Sequence, residues 1–253
     1  LYAGCAKGAD VAAWKQAARA ELAATHTLAY AQSLLDLVKA FERVPHEVVL
    51  REPIRLGYPL WLLRLSLATY RLGRVLRVGN VVSVVVTAAR GIVAGSGFAT
   101  TELRVIMITI VDAAHLVHPC CCPTVYVGDV AIEGSGSAAI IRRHVVGFAT
   151  IVCTMMEDDS LELSKTKKRC TASSEAIGFM VAGHLRRWHV KYASRVESLG
   201  SGLGAGRRRN MVTARKRLAN FRARRSRYEA LKRSGVDTAH LLRTGGISAM
   251  TYG

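Results

Sequence analysis

Charge is spread unevenly along this chain, and the imbalance constrains it more than any single motif. Residues 1–184 carry 19 Lys and Arg against 15 Asp and Glu, whereas residues 185–253 carry 17 against 3. A segment with a net charge of +14 is hard to explain without a polyanionic partner, and nucleic acid is the default. Half of the 253 residues are apolar, which supplies a packed core and excludes a disordered polyelectrolyte. The longest run free of Asp, Glu, Lys and Arg is Ala113–Gly128, interrupted by two His, three Cys and two Pro. It is too short and too broken to span a bilayer, so no membrane partner is expected. No secretory signal is visible, so an intracellular location, nuclear or cytoplasmic, is expected. The start at Leu1 suggests a piece of a longer chain.

The cysteines form no framework. Cys5, Cys153 and Cys170 are scattered, and Cys120-Cys121-Cys122 are consecutive. Zinc sites want two-residue gaps and a second ligand pair. Neighbouring residues of a strand point to opposite faces, so the triplet cannot converge on one metal. They read as reduced, mostly buried thiols.

Periodicity sets out an order of elements. An Ala-rich helix runs into the apolar segment Leu28–Leu37. A helix follows over about 46–56, with Pro53 inside it at a cost of roughly 3 kcal/mol, and Pro59 opens another. Arg71–Val78 and Val81–Thr87 read as a hairpin turning at Gly79-Asn80. Leu103, Ile106, Met107, Ile110, Ala114 and Val117 mark a long helix that Pro119 stops. Val125–Ile132 is a second hairpin, with Gly128-Asp129 as its turn. Ser137 starts a helix with the stripe Ile141, Val145, Phe148, Val152 and Met155, and Leu161–Lys165 reads as a strand. Gly200–Gly206 is a flexible joint before an Arg-studded helix with Met211, Ala214, Leu218, Phe221, Tyr228 and Leu231 on one side, capped by Gly235. The fold class is α+β, with a small, mostly antiparallel sheet.

Several familiar signatures fail. His46-Glu47 lacks the second histidine of a zinc-protease motif, since residue 50 is Leu. The glycines at 200–206 lack dinucleotide spacing, no phosphate-loop lysine is present, and Gly95-Ser96-Gly97 is not a nucleophile elbow. Asp158-Asp159 reads as a solvated turn.

An ordered set remains: Asp36-Leu-Val-Lys39-Ala40-Phe41 followed by Val44-Pro45-His46, then Arg90-Gly91 before Gly95-Ser96, then Tyr126-Val127-Gly128-Asp129, then Leu163-Ser164-Lys165-Thr166. In this order and spacing it resembles the palm motifs of reverse transcriptases, most closely those of non-LTR retrotransposons. The resemblance implies a right-hand polymerase palm over residues 28–200, a remnant of fingers or a connector helix over 1–27, and a basic, truncated, thumb-like helical segment over 201–253, with the fingers largely missing. It implies an RNA template, a DNA primer and deoxynucleoside triphosphates as partners, and Mg²⁺ or Mn²⁺ as cofactor, because such enzymes hold two divalent ions about 3.5–4 Å apart between acidic side chains.

By the same resemblance Asp36 and Asp129 are the catalytic metal ligands and Lys165 the proton donor to the leaving group. Phe41, Arg90, Gly91, Ser96 and Tyr126 shape the nucleotide pocket. Arg207, Arg208, Arg209, Arg215, Lys216, Arg222, Arg224 and Arg225 would grip the nucleic-acid backbone. The chain departs from the family at Gly128, where the first acid of Tyr-x-Asp-Asp would stand. Glu42 replaces a common Asp, and Arg90 a common Gln. The loss at Gly128 predicts an impaired polymerase. The alternative is a non-catalytic nucleic-acid-binding remnant of the same fold.

Overall fold

The computed structural model describes residues 8–93, 95–205 and 210–246. The Ala-rich start forms α1 (Ala9–Thr25), and the apolar segment after it forms β1 (Ala29–Asp36). Helices α2 (His46–Arg55) and α3 (Leu60–Tyr70) follow. Pro53 does not break α2, because it sits so near the end that only one helical hydrogen bond is lost. The first hairpin turns at Gly79-Asn80 as expected, but β2 (Arg77–Val78) and β3 (Val81–Val82) are short, with one further bridge between Arg74 and Val86. Its valines, including Val78, Val84 and Val85, face solvent.

Helix α4 (Ala99–Val117) buries Leu103, Ile106, Met107, Ile110 and Ala114, whereas Val117 at its end is exposed. Strands β4 (Cys122–Tyr126) and β5 (Asp129–Gly136) form the second hairpin, with Tyr126 paired to Asp129. The turn is therefore Val127-Gly128, one residue earlier than the sequence suggests. The Ser137 hydroxyl accepts from the Ile140 N–H and starts the next helix. That helix runs as α5 (Ala138–Ile141), a wide π turn over Arg142–Val146, and α6 (Gly147–Asp158). Among the described residues, Ala138–Asp158 is the one helical run long and apolar enough to cross a membrane. Its Phe148, Ala149, Val152, Cys153 and Met156 are buried in the protein's own core.

The expected strand at Leu161–Lys165 is absent. Leu161 and Leu163 are buried, but Leu163 makes a single bridge to Leu37, and the strand lies later, at β6 (Arg169–Ala172). Ser174 then caps α7 (Glu175–His184), followed by β7 (Lys191–Tyr192) and the hairpin β8 (Val196–Ser198) with β9 (Ser201–Leu203). Part of the expected Gly-rich joint is thus a paired strand, and the expected boundary at residue 200 falls in the turn of this hairpin. The tail is two helices rather than one, α8 (Val212–Ala223) and α9 (Arg225–Arg233), then a short α10 (Thr238–Leu241). No side chain of α8 or α9 is buried.

One five-stranded sheet, in the order β4-β5-β1-β6-β7, organises the molecule; all pairs are antiparallel except β6–β7. The protein is therefore α+β, with a mixed sheet. Alternation along β1 sends Ala31 and Leu35 into the main core, where they join Val125, Val130 and Ile132 of β4 and β5 and Ile106, Ile110, Phe148 and Val152 of the helices. Tyr30, Gln32, Leu34 and Asp36 point the other way, so this second face is more polar, with a small apolar cluster of Tyr30 against Ala20 and Ala23. Helix α1 crosses it: Gln32 Nε2 donates to Gln16 Oε1 at 2.9 Å, and Arg19 meets the buried Glu133 at 2.6 Å. The Tyr30 hydroxyl also donates to Glu133, at 2.8 Å.

Candidate active site

At one end of the sheet, Asp36 closes β1 and Asp129 opens β5. The antiparallel register sets these residues directly opposite one another, and Tyr126 faces Asp129 from β4. The Leu37 N–H donates to the Gly128 carbonyl at 2.9 Å, which holds the hairpin tip against the continuation of β1. Beside this row opens a cleft of about 230 Å³, lined by Asp36, Tyr126 and Asp129 together with Gln16, Thr124, Lys167, Glu197 and Leu199.

The electrostatics follow from the pairing. Partial burial and the adjacent Asp36 carboxylate push the Asp129 carboxyl up from 3.8 to about 6, against the opposing pull of Lys167. Lys167 Nζ lies 3.3 Å from Asp36 Oδ2. Two carboxylates held this close, one with a raised proton affinity, suit a shared dication, which would relieve the repulsion. Gly128 adds no third ligand. Among the described residues no group of three or more His, Cys, Asp or Glu side chains is placed to hold a metal.

Gly128 is fixed by contact. A Cβ there would come 2.7 Å from the Ala40 Cβ and 3.4 Å from the Leu37 Cβ. Its partner in the turn, Val127, sits at φ 56°, where a β-branched residue is strained by about 1–3 kcal/mol. The site thus concentrates backbone tension at the hairpin tip.

The segments carrying Phe41 and Arg90-Gly91 do meet. The Gly91 N–H donates to the Val44 carbonyl at 2.8 Å and the Ile92 N–H to the Phe41 carbonyl at 2.7 Å, while Pro45 bridges Arg90. Gly91 has φ 101°, and a Cβ would sit 2.9 Å from the Glu42 carbonyl oxygen, so no other residue fits without movement. Phe41 is half-buried against the core, and Arg90 is exposed. Ser96 is held at the start of α4, where its hydroxyl accepts from the Phe98 N–H at 3.3 Å and donates to the Tyr70 hydroxyl oxygen at 3.4 Å. Tyr70 in turn donates to the buried Glu102 at 2.6 Å. None of these four residues lines the cleft.

One placement differs from the sequence reading. Lys165 is exposed, and the lysine that reaches Asp36 is Lys167, because the chain turns directly after Ser164 instead of running on as a strand. In the tail, Arg215, Lys216, Arg222, Arg224 and Arg225 are exposed, and Arg225 pairs with Glu229 at 2.9 Å. Arg207, Arg208 and Arg209 lie outside the described residues, as does Cys5. Asn210 fastens α8 to the β8–β9 hairpin: its Nδ2 donates to the carbonyls of Val196 at 3.2 Å and Leu203 at 3.1 Å. The basic tail is therefore anchored to an element that lines the cleft.

Gln16, Thr124, Lys167 and Glu197 were not singled out by motif. The one hint in the sequence is Gln32, a long polar residue inside an apolar strand that needs a buried partner and finds Gln16. Compared with known proteins, the chain matches no protein-family model and no curated protein sequence.

Proposed function

We propose that the chain is a reverse-transcriptase-like palm, an RNA-directed DNA polymerase domain in which Asp36 and Asp129 form the acidic centre for template-directed nucleotidyl transfer. One observation carries the reading: two aspartates far apart in sequence, each picked out by its motif, stand opposite one another at one end of the sheet. Mg²⁺ or Mn²⁺ bound there would neutralise charge on a reacting phosphoryl group. Asp36 and Asp129 would hold the ion from two strands. Lys167 contributes positive charge beside Asp36, and the exposed arginines of α8 would hold template and primer by their phosphates.

A second reading, a nucleic-acid-binding remnant without activity, is favoured by the same site. Lys167 already pairs with Asp36, and residue 128 supplies no carboxylate. Loss of one ligand predicts a rate lower by on the order of 10³-fold or more.

Titration of Mn²⁺ into the native chain and into Asp36→Ala, followed by primer extension on an RNA template, tests the reading. Saturable binding that disappears with Asp36 supports it; equal binding by both proteins overturns the metal centre. For extension, Gly128→Asp alone forces a Cβ into Ala40, so the informative variant is Gly128→Asp with Ala40→Gly. Extension by that double variant, with little or none from the native chain, assigns the remnant reading to the present sequence and the polymerase reading to its fold.

A further inference from the structure

Resting on the reading of this cleft as a nucleotidyl-transfer site, we infer that its inner wall, Gln16 and Thr124, is a neutral hydrogen-bonding subsite for the nucleoside part of a nucleotide. Gln16 is 1% exposed and Thr124 2% exposed, and both line the cleft. Gln16 Nε2 and Thr124 Oγ1 have no hydrogen-bond partner in the protein. A buried polar atom left unpaired is costly, and nearly all such groups in folded proteins find a partner.

The orientation of Gln16 is set. Its Oε1 accepts from Gln32 Nε2, which leaves the amide N–H groups to donate elsewhere. Thr124, which lines the cleft, can both donate and accept through its unpaired Oγ1. A donor beside a donor-acceptor matches a carbonyl next to an N–H, as on a pyrimidine edge, or a sugar hydroxyl.

Charge selects the same orientation. Among the described residues, Asp36, Asp129 and Glu197 stand around the cleft against one cation, Lys167. An unneutralised phosphate is repelled there, so the neutral part of the nucleotide goes inward and the phosphate stays outside with any metal. A cleft of about 230 Å³ holds one nucleoside-sized group.

Thymidine and thymidine monophosphate, titrated without divalent metal into the native chain, Thr124→Val and Gln16→Leu and followed by ligand-observed NMR, test this. Thymidine should bind more tightly than the monophosphate, and each variant should weaken thymidine about fivefold to tenfold. Thr124→Val is nearly isosteric and keeps the fold, which far-UV circular dichroism verifies. Thymine and deoxyribose, titrated separately, identify which half enters, and loss of either one's binding in the variants supports the subsite. Thymidine binding that is absent, or equal in all three proteins, overturns it. Because Mn²⁺ binding is read separately with Asp36→Ala, variant-sensitive thymidine binding beside an Asp36-independent Mn²⁺ response would sink the metal centre alone.

Discussion

Asp129 binds its proton more tightly than a free aspartate, because ionising it sets a second negative charge beside Asp36 in a partly desolvated position. Between pH 3.8 and about 6 the folded chain therefore holds more protons at this residue than the unfolded chain. Its contribution to stability is full below pH 3.8 and is lost as pH rises to about 6. Asp129→Asn should accordingly unfold at a higher temperature than the native protein at pH 7 and flatten that part of the profile. Thermal unfolding from pH 4 to 8 checks both, and a variant less stable at pH 7 would contradict the assignment. At this scale the two aspartates were legible, since order and neighbouring residues mark them. Lys167 was not: Lys165-Thr166-Lys167-Lys168 offers three lysines, and only the backbone turn decides which one reaches the site.

Among the elements, the helix from Ala138 to Asp158 shows what periodicity reads well and what it misses. Ile141, Val145, Phe148 and Val152 are buried as their spacing requires, but the stripe ends on Met156 rather than Met155. The π turn at Arg142–Val146 has no compositional signal, since it is one extra residue accommodated by a widened helix. Deleting the exposed Arg143 should convert the turn to ordinary helix and preserve both flanking faces. Deleting Val152 should rotate all that follows by about 100° and abolish cooperative unfolding. Circular dichroism and thermal melts of the two deletions distinguish these outcomes, and equal damage from both would contradict the account. The misplaced strand has a similar cause. Leu161 and Leu163 alternate like a strand, but β1 has already ended at Asp36, and residues 31–34 take their partner from β6 instead.

Over the whole molecule the uneven charge becomes a spatial arrangement: a packed sheet and helices, with the arginines on helices that bury nothing. Binding through such a surface should be steeply salt-dependent and indifferent to sequence. Replacing Arg215, Lys216 and Arg222 with Gln should lower the slope of log K against log salt by about 3 and weaken all sequences alike. Fluorescence anisotropy on two unrelated duplexes over a salt series measures this, and an unchanged slope would remove α8 from the interface. The α+β class and the position of the acidic pair were readable from the chain. The path of α1 across the polar face was not, because it depends on Gln16–Gln32 and Arg19–Glu133, contacts between residues that carry no motif. That path has a consequence for how a polymer approaches. Gln16 of α1 and Glu197 of the β8–β9 hairpin both line the cleft, so two elements outside the sheet border the acidic pair. On the proposed reading, a nucleic acid would have to pass both of them to reach Asp36 and Asp129.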